Sequence, residues 1–303
     1  MTATHAIGVD LGGTKILAGV VTRDGEVVRR HERMTPHESQ ASVVAELEAA
    51  VAELVDDSIG AIGFGVPSPI DQKRGVVVRC VNLPLEDYAL REHMAQRFSL
   101  PVGLDNDANA AAIGEWRAGS GRGVDDLVML TLGTGLGGGV IANGRPFRGG
   151  RGGGPELGHV VIVHDGIPCQ GACEGHGHLE PYVTGIAATK RAQEAFGPAA
   201  DAHRLIRLAN EGDAQAHEIL ADIGRHLGSA MGSFANIFEP ELIVIGGGFG
   251  VAAFEHLRTP AEERLRREAL PPMRDEATVV PAELGTAAGL IGAAFVGFEA
   301  ADG

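Results

Sequence analysis

The chain has 303 residues, 44% of them apolar and 21% charged, which suits a folded protein with ample core and excludes a disordered polymer. Its formal net charge of −15 leaves no basic face to neutralise phosphates, which argues against nucleic acid as a partner. It shows neither a cationic leader before an apolar stretch nor an uncharged segment of bilayer length, so no membrane partner and a cytoplasmic location are expected.

Residues 5–33 read as a strand, a glycine turn and a hairpin. The turn is Asp10-Leu11-Gly12-Gly13-Thr14-Lys15, and the strand that resumes after it reaches the tight-turn pair Asp24-Gly25. Glycine lets backbone come close to a ligand, and successive free N–H groups in such a turn bind anions. Lys15, one of only three lysines, is either a phosphate contact or a strand-edge charge. Asp10, just before the turn, is placed to hold Mg²⁺ through water. Residues 39–56 carry apolar side chains at helical spacing, with Ser39 as the cap.

A short apolar run with alternating glycines, residues 59–66, suits a strand entering the loop Pro67-Ser68-Pro69. Residues 76–81 read as a strand and 88–98 as a helix. Residues 100–104 read as a strand delivering Asp105-Asn106-Asp107, followed by an alanine-rich helix over 108–118. Ligands gather at the carboxyl ends of strands in α/β proteins. A carboxylate opening a helix also has an ordinary use as a favourable N-terminal charge. Beside phosphate-binding turns, Asp107 gains a second use, because phosphoryl transfer to an alcohol needs a group that accepts the hydroxyl proton.

The plan then repeats. Residues 127–132 and 138–142 form a hairpin around a second turn, Gly133-Thr134-Gly135, and Asn143-Gly144 follows. Gly133, Gly135 and Gly138 match G-x-G-x-x-G, but the chain continues as strand where a dinucleotide fold begins a helix, which rejects a Rossmann site. No Gly-Lys-Ser/Thr triplet supplies a Walker A loop either. An irregular glycine-rich stretch occupies 147–178. Helices are expected over 180–196, 203–210 and 213–238, and a buried strand over 242–245 ends at Gly246-Gly247-Gly248. A helix to about 267, a strand near 278–281 and a terminal helix over 286–298 complete the chain. Strands alternating with helices predict an α/β class, and two like hairpins suggest two lobes with a cleft. Two facing turns would then hold the ends of one polyphosphate.

A third constellation is His159, Cys169, Cys173 and a histidine after them. Two cysteines four apart, with His159 ten before and His178 five after, make a Cys₂His₂ zinc site, which with four protein ligands is closed and structural. His176 is an alternative to His178 that spacing does not decide. The remaining cysteine, Cys80, lies in a strand and is expected to be buried. A pinned loop would fix Glu156 and Glu180, carboxylates suited to accepting hydrogen bonds from sugar hydroxyls.

Together these residues resemble the ROK family of sugar kinases, within the actin/hexokinase-like superfamily. The likeness runs from Asp10-Leu11-Gly12-Gly13-Thr14-Lys15 through Gly65-Val66-Pro67-Ser68-Pro69, Asn82-Leu83-Pro84, Asn106-Asp107-Ala108-Asn109, the second turn and Glu156-Leu157-Gly158-His159. It continues through the cysteine loop and Gly246-Gly247-Gly248. The resemblance implies a two-lobed, ribonuclease H-like α/β fold with an interdomain cleft and a structural zinc loop over 159–178. A smaller lobe of 1–105 plus about 288–303 would face a larger one of 106–287. It implies ATP-dependent phosphorylation of a hexose, glucose to glucose 6-phosphate first. Fructose, mannose, allose or an N-acetyl hexosamine are alternatives, as is a non-catalytic sugar sensor, and polyphosphate is an alternative donor. Asp107 would be the general base. Asn106, Glu156, His159 and Glu180 would hold the sugar, with Gly65 and Asn82 as further candidates. Gly12, Gly13, Thr14, Thr134 and Gly135 would grip the phosphates, and Gly246, Gly247 and Gly248 would lie near adenosine. A homodimer or tetramer is also implied.

The chain departs from the family pattern in three places. The usual C-x-C-G-x-x-G-C-x-E loop is altered, with His178 in place of the last cysteine and Cys169 two positions early. Gly154-Pro155 replaces Ala-Gly before Glu156, and Ser68 follows Pro67 where glycine is common.

Overall fold

The computed structural model describes residues 4–170 and 173–303. The first glycine turn folds the start of the chain into an antiparallel meander of β1 (His5–Leu11), β2 (Lys15–Thr22) and β3 (Val27–Met34). Helix α1 (Gln40–Ala52) starts at Ser39, whose hydroxyl accepts the Ser42 N–H at 3.1 Å while the Ser42 hydroxyl accepts the Ser39 N–H at 3.1 Å. Strand β4 (Ile59–Val66) pairs parallel with β1. Three short strands, β5 (Ile70–Asp71), β6 (Val76–Arg79) and β7 (Glu86–Tyr88), form a small sheet of their own. After α2 (Leu90–Phe98), β8 (Val102–Asn106) pairs parallel with β4 and leads directly into α3 (Asp107–Ala118).

The second meander is β9 (Leu127–Leu132), β10 (Leu136–Ala142) and β11 (Arg145–Pro146). Helices α4 (Glu180–Val183), α5 (Gly185–Phe196), α6 (Ala202–Asn210) and α7 (Ala214–Phe238) follow, then β12 (Leu242–Gly246). The chain ends through α8 (Gly248–Ala252), α9 (Phe254–Glu268), α10 (Met273–Glu276), β13 (Thr278–Pro281) and α11 (Ala288–Asp302). The orders β3-β2-β1-β4-β8 and β11-β10-β9-β12-β13 are one plan used twice, a meander flanked by two parallel strands. The likeness between the glycine turns thus extends to whole sheets, and the α/β class holds.

Helix α11 returns from the far end of the chain to cover the first sheet. Gly19, Gly8, Gly63 and Gly103 stand in register on β2, β1, β4 and β8 and form a floor without side chains. A Cβ at Gly8, Gly63 or Gly103 would run into the carbonyl oxygen of Leu290, Ala293 or Val296, so the helix backbone lies directly on the strands. Helix α3 packs on α11 with equal closeness, Gly292 against the Ala110 carbonyl and Gly114 against that of Ala288. Its other face meets β10, where Gly139 touches Ala112. The α3 and α11 pair therefore separates the two sheets.

The structure departs from the pattern-based reading in three places. Residues 180–196 form two helices, because Thr184 is extended and its hydroxyl caps α5 by accepting the Ala187 N–H at 3.3 Å. Residues 86–88, read partly as helix, pair instead with β6, and α2 starts only at Leu90. Of the small third sheet, only β6 is read from the sequence; β5 and β7, two and three residues long, are too short to show a period.

Candidate functional site

Register brings Asp10 on β1, Gly65 on β4 and Asp105 on β8 side by side at the carboxyl end of the first sheet. Gly65 lets α3 pack close to β4: a Cβ there would stand 3.1 Å from the Ala110 Cβ. Asn106 caps that helix, its Oδ1 accepting the N–H groups of Ala108 at 2.9 Å and Asn109 at 3.2 Å. Its Nδ2 points to the Ser68 carbonyl at 3.5 Å. Asp107 is the first helical residue, and its Oδ1 also accepts the Ala108 N–H at 2.9 Å.

Loss of hydration pushes the Asp107 carboxyl above its ordinary value. The Glu156 charge adds to this, while the Ala108 N–H and the Asn106 side chain oppose it. The Asp10 carboxyl is pushed up to about 7, first by burial and then by the charge of Asp107. Asp107 thus stands within electrostatic reach of both Asp10 and Glu156, which come from separate segments.

The first turn is closed by the Gly12 N–H donating to the Lys15 carbonyl at 2.9 Å. Thr35 braces it from behind: its N–H donates to the Thr14 carbonyl at 2.9 Å and its hydroxyl to the Gly12 carbonyl at 2.8 Å. Gly13 and Thr14 remain exposed. The Lys15 ammonium pairs with Glu32 across the sheet edge at 2.6 Å.

In the second turn the Gly133 N–H donates to the Gly135 carbonyl at 2.9 Å, and the Gly185 N–H donates to the Gly133 carbonyl at 2.8 Å. Glu180 Oε2 accepts the Leu136 N–H at 2.9 Å, so this carboxylate holds the turn itself. Thr134 and Gly135 are exposed. Gly247, at φ +78°, rests on the Leu132 backbone with no space for a Cβ, which seats Gly246, Gly247 and Gly248 beside the second turn. Because Gly137 of β10 touches Ala108, the start of α3 stands next to this turn as well as to Asp10.

Glu156 is exposed and precedes the 3₁₀ turn Leu157–His159, where the His159 N–H donates to the Glu156 carbonyl at 3.0 Å. Asn82 is exposed in the connection between β6 and β7. Three participants have no sequence signature of their own. Thr35 is one. Cys80 is buried as expected, and its thiol is pushed up to about 12, by burial and then by the Asp107 charge. Ser68 is also buried, its hydroxyl donating to the Pro69 carbonyl at 2.8 Å and accepting the Arg79 N–H at 2.9 Å. That gives the serine in place of the family's glycine a bonding role.

The cysteine loop gathers His159, Cys169, Cys173 and His178, with one donor atom from each lying within 4.8 Å of the others. The His159 and His178 Nδ1 atoms are 3.2 Å apart, Cys169 Sγ is 3.6 Å from His159 Nδ1, and Cys173 Sγ is 3.5 Å from His178 Nδ1. Tetrahedral zinc, with Zn–S of about 2.3 Å and Zn–N of about 2.0–2.1 Å, sets its donors roughly 3.3–3.8 Å apart. The four side chains fit that ion. His178 belongs to the cluster, whereas the exposed His176 forms a backbone bridge with Pro168. Gly171 and Ala172, inside this loop, lie outside the described residues. Among the described residues no helix is long and apolar enough to cross a membrane.

A sequence model of the ROK family matches residues 6–298. The chain is 34% identical to a glucokinase from Streptomyces coelicolor over 308 residues, covering 95% of this chain and 96% of that one. An N-acetyl-D-glucosamine kinase from Salmonella typhimurium is 32% identical over 312 residues, covering 95% and 98%. The crystal structure of a ROK family glucokinase from Streptomyces griseus, in complex with glucose and AMPPNP, superimposes with a TM-score of 0.82 at 34% identity, covering 97% of this chain and 99% of that one.

Proposed function

The chain belongs to the ROK family and is an ATP-dependent sugar kinase; from that premise we propose that it phosphorylates a hexose, with glucose first and glucose 6-phosphate as product. The observation that carries the reading is Asp107, a carboxylate of raised pKa fixed at a helix start beside two open glycine turns. Asp107 accepts the proton of the sugar hydroxyl as its oxygen attacks the γ-phosphorus and the bond to the β-phosphate oxygen breaks. The turn of Gly12, Gly13 and Thr14, through the N–H groups at its exposed tip, and the turn of Thr134 and Gly135 grip the phosphates. Gly246, Gly247 and Gly248 flank adenosine.

The sugar lies against the Asn106 Nδ2, Glu156 and His159, with Gly65 and Asn82 at the margins. Glu180 serves through the oxygen that does not hold the second turn. Asp10 is the residue for Mg²⁺, which when bound offsets phosphate charge. Zinc in the cysteine loop is structural and keeps His159 and Glu156 in place. The lobes of 1–105 with 288–303 and of 106–287 close on the substrates and exclude water, the competing acceptor.

A second reading, an N-acetyl hexosamine kinase, is favoured by the Salmonella relative; Pro155, which fixes the backbone ahead of Glu156, bears on sugar preference without favouring either. An ADP-release assay over glucose, mannose, fructose, allose, N-acetylglucosamine and N-acetylmannosamine tests both, with polyphosphate as the alternative donor. Glucose should give the highest kcat/KM. No turnover with any sugar would overturn the kinase reading, and a preference for an acetamido sugar would replace glucose.

A further inference from the structure

Asp105 has no solvent exposure at all. A carboxylate at that depth persists only when it is paired and hydrogen-bonded. Three donors serve it: Arg148 Nε at 2.6 Å, Asn109 Nδ2 at 3.0 Å and the Asn106 N–H at 2.8 Å. The remaining guanidinium nitrogens of Arg148 grip both oxygens of Glu299 on α11, at 3.0 and 2.6 Å. Burial works against the Arg148 charge, but Glu299 and Asp105 outweigh it and raise the guanidinium pKa, so the cation is permanent.

The two ends of this pair belong to different sheets. Asp105 is the penultimate residue of β8 in the first sheet, immediately before Asn106 and Asp107. Arg148 follows β11 of the second. Its carbonyl accepts the Gly154 N–H at 3.0 Å, which closes residues 148–154 into a loop whose exit is Pro155-Glu156. The loop sits directly on side chains of α3 and of the turn between β5 and β6. Gly154, at φ +73°, presses on the Asn109 amide, and Gly152, at φ +87°, presses on Gln72, which itself holds the Leu104 carbonyl at 2.8 Å.

We infer that Arg148 is a positioning residue: its hold on Asp105 sets where Glu156 and His159 stand relative to Asp107. The inference rests on the kinase reading above and deepens it. Stability alone does not explain the pair, because a buried ion pair is often replaceable by apolar packing at little cost. Its location does explain it, since it joins the segment bearing the base to the loop bearing the sugar-facing acid. The planar guanidinium reaches two carboxylates in fixed directions, which an ammonium does not.

The test compares Arg148→Met, Arg148→Lys and Glu299→Gln with the wild type by steady-state kinetics and by native-state hydrogen exchange. Arg148→Met should raise the sugar KM at least tenfold and lower kcat while leaving the ATP KM within about twofold. Arg148→Lys should fall between Met and wild type, and Glu299→Gln, which keeps the Asp105 contact, should change the sugar KM less than threefold. In Arg148→Met the amides of Gly154 and His159 should lose protection at least tenfold while those in α7 keep theirs. Wild-type sugar KM and unchanged loop protection in both Arg148 variants would overturn the inference. So would a fall in kcat alone that matches a lost folded fraction. A wild type inactive on every sugar would sink the kinase reading separately, and the exchange measurement would then decide the brace.

Discussion

Asn106 caps the helix whose first residue is Asp107, its Oδ1 accepting the Ala108 and Asn109 N–H groups at 2.9 and 3.2 Å. The cap pairs helix-start N–H groups that otherwise lack partners, fixes the catalytic candidate beside them, and leaves the Asn106 Nδ2 to face a ligand. Asp107→Asn keeps the shape and the helix start but removes the proton acceptor. Its kcat should fall about 10²–10⁴-fold, the usual worth of a general base. Sugar affinity by titration calorimetry should stay within about threefold of wild type. A variant that retains most of its turnover would remove Asp107 from the mechanism.

The same residue gives a pH prediction. A base works only when deprotonated, and burial, reinforced by Glu156, raises Asp107 above the ordinary 3.8 of an aspartate. Lowering the pH therefore protonates it earlier than a solvated acid, and the acid limb of the kcat/KM profile is displaced upward. Glu156→Gln removes one raising charge and should move that limb to lower pH. A limb at the ordinary aspartate position, unmoved by Glu156→Gln, would contradict the assignment.

How much of this was legible in the sequence follows from the range of the interactions. The glycine turns, Asn106-Asp107 and the four zinc-type ligands are local patterns, and the structure brings each group together. Thr35, Ser68 and Arg148 were not legible, because each acts on a segment that only the sheet pairing places beside it. Glu180 is an intermediate case. Its position at the second turn depends on a contact across 44 residues, so its hold on the Leu136 N–H has no sequence signature. The choice between His176 and His178 needed the loop's fold, which sets a donor atom of His178 within 4.8 Å of those of His159, Cys169 and Cys173.

The cysteine loop makes a prediction that separates those two histidines. His178→Ala removes a ligand and should abolish stoichiometric zinc, whereas His176→Ala should keep about one zinc per chain by elemental analysis. Strong chelation of the wild type should release that zinc and lower Tm, since metal binding is linked to folding. Full zinc retention in His178→Ala would show that the ion, if bound, sits elsewhere.

The glycine floor under α11 predicts a contrast between two glycines of the first sheet and its turn. A Cβ at Gly63 would strike the Ala293 carbonyl and the Gly297 nitrogen, backbone atoms that move only if the whole helix shifts. Gly63→Ala should therefore destabilise the fold by about 3 kcal/mol or more, at the upper end for overpacking. Gly13, on the exposed tip of the first turn, has nothing within 4 Å of the same added atom. Gly13→Ala should leave the unfolding free energy in urea within about 0.5 kcal/mol of wild type while raising the ATP KM, because the methyl narrows the approach to the turn's N–H groups. Equal stability of the two variants in urea unfolding would mean that α11 does not rest on the strands as closely as this row of glycines requires.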